Sequence, residues 1–140
     1  VIRHPDRVHG KLPALLDYQL SLASPAPPPG SFDPELAAAG ELVFHAAGCA
    51  DCHIPPLYTD INLGVLHDPL EVGQDAAYAE RTATGKYRTT PLRGLWQHAP
   101  YFHDGRAQTL LDVVEHYDEH LSMDLADEEK EALVEFLKTL

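Results

Sequence analysis

The sequence predicts an all-α fold with long surface loops and an N-terminal arm. Several segments carry apolar residues at the spacing of an amphipathic helix, and none has the apolar–polar alternation of a half-buried strand. A third observation is the pentapeptide CADCH at residues 49–53, which contains the only two cysteines of the 140-residue chain. This pentapeptide indicates that a bound group supplies part of the core.

The pentapeptide has the C-x-x-C-H pattern that attaches c-type haem. Cys49 and Cys52 stand three positions apart, so each can form a thioether with one vinyl group of a single porphyrin. His53 follows directly and would supply the proximal imidazole to the iron. The sequence therefore predicts one covalently bound haem c, held by these three residues.

Two other chemistries use a Cys-x-x-Cys pair, and both fit this chain poorly. A thioredoxin-like dithiol opens a helix within a β-α-β unit, and no such alternation surrounds the pentapeptide. A zinc site commonly needs a second Cys or His pair at short spacing. The nine histidines are scattered, and the spaced pair His116 and His120 lies far downstream.

The first 30 residues are expected to form an arm, a short helix and a linker. Residues 12–20 (LPALLDYQL) are amphipathic, and Pro13 suits the first turn of a helix. Residues 24–30 (SPAPPPG) are dominated by proline, which favours an extended, semi-rigid linker. We expect the arm either to end an upstream domain or to pack on the haem domain, which spans residues 31–140.

Three helices are expected within residues 31–140. The first spans 33–46, where Asp33 is a good N-cap and Pro34 fits the first helical position. The second runs from Thr109 to about His120. The third spans 126–139, with acidic residues in its first turn and an apolar stripe behind them.

Charge and hydropathy limit the partners. The formal charge is −12, which excludes nucleic acid and anionic membrane surfaces and favours a redox partner protein with a basic patch. No apolar run is long enough to span a membrane. The chain starts at Val1 without a visible signal peptide, so we expect a processed form or a fragment. Because haem is joined to C-x-x-C-H outside the bacterial cytoplasm, a periplasmic or other extracytoplasmic location is expected.

The arrangement of Gly40 and Phe44 before the pentapeptide, with Phe136 in the closing helix, resembles class I cytochromes c. In that family the first and last helices cross at a glycine, because only glycine lets the two backbones approach closely. The resemblance implies a class I cytochrome c-like haem domain.

The middle of the chain resembles a narrower family. Residues 87–95 (YRTTPLRGL), 99–105 (APYFHDG) and 109–110 (TL) look like the second haem domain of the bacterial di-haem cytochrome c peroxidase and MauG family. The resemblance covers about residues 31–140. Those enzymes need two haems, whereas this chain has one C-x-x-C-H motif, so a mono-haem electron carrier is expected rather than an enzyme acting alone.

The resemblance also suggests the distal iron ligand. The slot where the peroxidases carry a methionine is Tyr117 here, and MauG-type proteins use a tyrosine in the corresponding haem. Met123, the only methionine, is the alternative, since a thioether is the commoner partner of histidine in electron-transfer cytochromes. Three histidines and an open site stay as further possibilities; the histidines are His103, His116 and His120.

Arg93 and Trp96 flank the haem segment by the same family resemblance. The planar guanidinium of Arg93 suits a haem propionate. Trp96 is expected either to wall the haem or to fill the core. Residues 55–86 read as a long surface loop. The expected function is single-electron transfer, free or as the redox module of a larger oxidoreductase; the alternative is a peroxidase-like or diatomic-ligand domain with an open distal site.

Overall fold

The structure is a computed structural model that describes residues 7–140, except for the side chain of Leu20. Within these residues the chain forms four α-helices, several short 3-10 turns and no β-strand, so the all-α prediction is confirmed. The helices are α1 (Leu12–Ser21), α2 (Pro34–Ala46), α3 (Leu110–Leu121) and α4 (Asp127–Leu137). The part of the predicted arm at residues 1–6 lies outside the described residues.

Helix α1 forms where the apolar spacing and Pro13 predict it, but its apolar side chains are exposed. Leu15 and Leu16 are each about half exposed, and Tyr18 is more so. The extended linker that follows brings Ser24 near Gly94.

Helix α2 is fixed at both ends by local chemistry. The Asp33 carboxylate accepts hydrogen bonds from the amides of Glu35 and Leu36, at 2.8 and 3.1 Å, and so satisfies two amides that the first turn leaves unpaired. Gly48 ends the helical segment in the left-handed conformation, with φ of 78°. The pentapeptide begins at the next residue, so the end of α2 determines where the two thiols lie.

Helices α3 and α4 are capped by acidic side chains. Asp112 accepts a hydrogen bond from the amide of Thr109 at 2.9 Å, while the Thr109 hydroxyl accepts from the amide of Asp112 at 3.1 Å. Glu129 accepts from the amide of Ala126 at 2.9 Å. An ion pair of 2.6 Å between Lys130 and Asp118 joins the two helices. The closing helix ends at Leu137, two residues earlier than the sequence predicts.

The core lies where α2, α3 and α4 meet. Phe44 is only 1% exposed, and its ring packs against that of Phe136 with the centroids 5.3 Å apart. The other buried members of this cluster are Leu110, Val114, Leu133 and Leu137. Burying each of these side chains contributes about 1.5–3 kcal/mol of hydrophobic stabilisation.

Gly40 is the point of closest approach between α2 and α4, as predicted. A Cβ atom added there would overlap the backbone carbonyl of Ala132 and lie 2.9 Å from the Cβ of Phe136. No rotamer change relieves a clash with a carbonyl group, so only glycine allows this crossing.

Replacing Gly40 by alanine should therefore force the two helices apart. We expect a loss of about 1–3 kcal/mol in the free energy of unfolding, because overpacking a tight contact has that cost. Denaturant unfolding measures the change. Gly10→Ala is the matched control, since a Cβ at Gly10 meets no atom within 4 Å. Equal stability of the two variants would contradict the crossing.

Candidate functional site

The pentapeptide folds as a tight turn directly after α2. Residues Cys49–Asp51 form a 3-10 turn, and the amide of His53 donates to the carbonyl of Cys49 at 2.9 Å. Both cysteines are free thiols and half-buried, and Cys49 packs against the core cluster. The turn therefore holds two thiols and one imidazole within five consecutive residues.

One hydrogen bond fixes the orientation of the His53 ring. Its Nδ1 lies 3.0 Å from the backbone carbonyl of Tyr58. A carbonyl oxygen can only accept, so Nδ1 carries the proton and Nε2 keeps its lone pair. Burial lowers the pKa of His53, and this outweighs the effect of the hydrogen bond to Tyr58. The ring is thus a neutral imidazole with Nε2 free to bind a metal.

Tyr58 is a site residue that the sequence analysis missed. Its φ is 53°, a left-handed conformation that costs roughly 1–2 kcal/mol in a residue with a side chain. Its ring packs edge-on against Phe44 and Phe136, with centroids 5.8 and 6.3 Å away. The half-buried ring therefore anchors the carbonyl that orients His53. In the sequence, the only indication of this role is an aromatic residue that follows Pro55 and Pro56 closely.

The two thiols are poor candidates for thiolate chemistry. Burial raises the pKa of Cys49, and burial together with the nearby Asp60 carboxylate raises the pKa of Cys52. Dithiol exchange needs the thiolate, so these surroundings oppose it.

Trp96 is half-buried, and its Nε1 is a buried donor without an acceptor among residues 7–140. Buried donors are normally paired, so this N–H fits an acceptor that is not part of the polypeptide. Arg93 is exposed and forms no ion pair with any described residue. Both lie in a segment anchored by Leu92 and Leu95, which pack on the core, and by a hydrogen bond from Gly94 to Leu140.

Tyr117 lies on α3 within electrostatic range of the two thiols. Burial raises the pKa of its phenol; Arg106 lowers it, and Cys52 and Cys49 raise it further. The ring contacts Phe102 and His116, with centroids 5.9 and 5.2 Å away. No group within residues 7–140 hydrogen-bonds its hydroxyl, which is therefore available to a ligand.

The other candidate ligands are placed differently. Met123 follows the left-handed end of α3 and is half-buried, outside the core cluster around Cys49. The Nε2 atoms of His116 and His120 face backbone carbonyls of residues 70–72, at 3.0–3.4 Å. His103 is exposed and stacks on Tyr87, with the ring centroids 5.2 Å apart. Among residues 7–140, the histidine rings thus have hydrogen-bond or stacking partners in the polypeptide, whereas the Tyr117 hydroxyl has no hydrogen-bond partner.

The segment 55–86 is irregular, as expected, but it is not only a surface loop. Asp60 is 3% exposed and His67 is 6% exposed. His67 Nε2 lies 2.7 Å from the Asp60 carboxylate, and Nδ1 lies 3.0 Å from that of Glu71. The prediction of a surface loop was wrong for Asp60 and His67. These polar residues lie outside any periodic apolar pattern, so nothing in the sequence indicated that they are buried.

Ligand atoms of Cys52, Asp60 and His67 lie within 4.8 Å of one another, the spacing of a metal site. Both nitrogens of His67 face carboxylates, so neither lone pair is available while these hydrogen bonds hold. The Cys52 thiol is also held protonated by burial. We therefore interpret this trio as a charge network beside the pentapeptide rather than as a preformed metal centre.

Comparison with known proteins found a relative of this chain. The chain is 32% identical over 112 residues to the methylamine utilization protein MauG of Methylorubrum extorquens. This match covers 67% of the chain and 31% of MauG. The chain has weak homology to MauG. The relationship supports the MauG and cytochrome c peroxidase-like family, and the chain spans about a third of the length of this relative.

A solved structure shares the fold. The crystal structure of a MauG-like protein associated with microbial copper homeostasis matches 77% of this chain and 47% of its own, with a TM-score of 0.56 and 24% identity. No family model matches the sequence. Within residues 7–140 no helix has both the length and the apolar character needed to cross a membrane.

The buried His67 should make stability depend on pH. Burial opposes its charge, but the hydrogen bonds to Glu71 and Asp60 outweigh burial and raise its pKa above 6.5. The stabilisation is complete below pH 6.5 and is lost as the pH rises through the raised folded-state value. The Asp60 pKa is lowered despite burial, so its contribution is present above 3.8 and is lost as the pH falls through the lowered value.

His67→Gln should therefore destabilise the protein by about 3–5 kcal/mol near neutral pH, the cost of breaking a buried ion pair. The difference from the unmodified protein should shrink as the solution becomes alkaline. Urea unfolding across this pH range measures it, with the exposed His98→Gln as control. A difference that stays constant towards alkaline pH would contradict a charged His67.

Proposed function

We propose that this chain is a mono-haem c-type cytochrome domain that transfers single electrons. The observation that carries the proposal is the hydrogen bond from the His53 Nδ1 to the Tyr58 carbonyl. This bond fixes the orientation of the ring and leaves Nε2 unprotonated, with a lone pair for a metal. The two thiols of the same turn supply covalent attachment points. A bound c-type haem supplies an iron that changes between two oxidation states.

The residues around the turn fit a haem. Cys49 and Cys52 would hold the porphyrin, and His53 would bind the iron. The unpaired Nε1 of Trp96 suits a propionate oxygen, which is the acceptor that the polypeptide does not provide. Arg93, exposed two residues after Pro91, would offer its guanidinium to the other propionate from the solvent side.

On the opposite side of the iron, we propose Tyr117 as the sixth ligand. Its half-buried position on α3 and its hydroxyl, which has no hydrogen-bond partner among residues 7–140, support this role. A phenolate is negatively charged and so stabilises ferric iron, which gives a low reduction potential for a c-type cytochrome. Six ligands leave no open position for peroxide, so electron transfer is favoured over the peroxidase-like alternative.

The proposal also covers the redox partner of the chain, its location and its relation to a longer protein. The charge of −12 supports a redox partner that docks through a basic patch. Covalent attachment to C-x-x-C-H places the protein outside the bacterial cytoplasm in this proposal. The chain spans 31% of MauG, so we propose that it acts either free or as the redox module of a longer oxidoreductase.

The first prediction from this proposal is that the protein carries covalently bound haem. The intact mass should exceed that of the polypeptide by one haem, and acid–acetone should not extract it, because thioethers to Cys49 and Cys52 resist acid. His53→Ala should keep the haem attached but lose the low-spin absorption spectrum. Extractable haem, or the mass of the bare chain, would refute the proposal.

The second prediction identifies the distal ligand. Tyr117→Phe should convert the ferric iron to a high-spin or water-bound form and raise the reduction potential, because a phenolate is lost. Met123→Leu is the matched control and should leave the absorption and electron paramagnetic resonance spectra unchanged. If only the methionine variant loses the low-spin form, the protein is a histidine–methionine cytochrome. If neither variant changes the spectra, the site is open or histidine-bound.

A further inference from the structure

A buried charge pair lies beside the haem attachment turn. His67 presents both ring nitrogens to carboxylates: Nε2 to Asp60 at 2.7 Å and Nδ1 to Glu71 at 3.0 Å. Carboxylate oxygens accept hydrogen bonds and do not donate them, so both nitrogens must carry protons. His67 is therefore an imidazolium, and Asp60 is its buried counter-ion.

This pair is close to the atoms that would carry the haem. A carboxylate oxygen of Asp60, a ring nitrogen of His67 and the Sγ of Cys52 lie within 4.8 Å of one another. The Asp60 and His67 side chains are nearly inaccessible to water, so solvent screens their charges only weakly.

We propose that Asp60 and His67 are an electrostatic tuning pair that sets the reduction potential of the haem. The inference rests on the proposed function, because it needs a haem on Cys52. Ferric haem carries one more positive charge than ferrous haem. The Asp60 carboxylate therefore stabilises the ferric form and lowers the potential, whereas the His67 imidazolium stabilises the ferrous form and raises it.

Glu71 has a smaller part in this network. Its side chain is 56% exposed, so water screens most of its charge. It holds His67 in its charged form and caps the amide of Asp68 at 3.3 Å. The buried member of the two carboxylates, Asp60, should therefore have the larger effect on the potential.

The test compares two single charge-removing variants and their double variant in the haem-loaded protein. The measured quantity is the reduction potential at neutral pH. His67→Gln should lower the potential, and Asp60→Asn should raise it. The double variant should return close to the unmodified protein, because both charges are gone. Asp68→Asn is the matched control: it removes one carboxylate from an exposed position in the same segment and should leave the potential unchanged.

Shifts of opposite sign in the two single variants distinguish electrostatic tuning of the potential from a loosened site. A loosened site admits water, which favours the ferric form, so both single variants would then shift downwards. Shifts of the same sign, or no shift in either variant, would overturn the inference. If one single variant fails to form low-spin haem protein, the other decides: His67→Gln must still lower the potential, or Asp60→Asn must still raise it, and the opposite sign or no shift overturns the inference. If both fail, Asp60→Glu, which keeps the carboxylate, should form haem protein with a nearly unchanged potential, and a large shift in that variant would overturn the inference.

The mass of each sample distinguishes this inference from the function on which it rests. If the unmodified chain carries no covalent haem, the proposed function itself fails. If it carries haem but the potentials do not follow the predicted signs, only the tuning role of Asp60 and His67 fails.

Discussion

The close contact of α2 with α4 at Gly40 is the constraint on which the rest of the structure depends. The crossing places Phe44 against Phe136, and both rings then receive Tyr58. Tyr58 in turn presents its carbonyl to His53. A larger residue at position 40 would therefore disturb the proposed iron ligand indirectly, through the ring packing of Phe44, Phe136 and Tyr58 and then through the hydrogen bond to His53.

The long irregular segment between the pentapeptide and α3 is held by hydrogen bonds rather than by regular structure. The Thr59 hydroxyl donates to the carbonyl of Thr89 at 2.6 Å, and His67 and Tyr87 exchange backbone hydrogen bonds of 2.7 and 2.9 Å. Buried polar groups are costly unless they are paired, so each such bond fixes one turn of the segment. This anchoring fixes the path of the segment that precedes Trp96, whose Nε1 has no acceptor among residues 7–140.

The charges near the pentapeptide are arranged differently from the overall charge of the chain. The chain as a whole is strongly acidic, which concerns its solubility and its partners. Around the pentapeptide, however, burial favours the neutral forms of both thiols and of the His53 imidazole, while the buried His67 imidazolium is balanced by carboxylates.

The sequence by itself determined the helices, the Asp33 cap of α2 and the position of the C-x-x-C-H turn, because these depend on residues that are neighbours in the chain. Asp33 and Pro34 start α2, Thr109 starts α3, and C-x-x-C-H is a local pattern. Gly40 was also identifiable, since the family resemblance assigns a helix crossing to it. Tertiary structure alone decided that the Tyr58 carbonyl orients His53 and that Asp60 and His67 are buried. Those contacts join parts of an irregular segment without periodicity, and only the packed core brings them together.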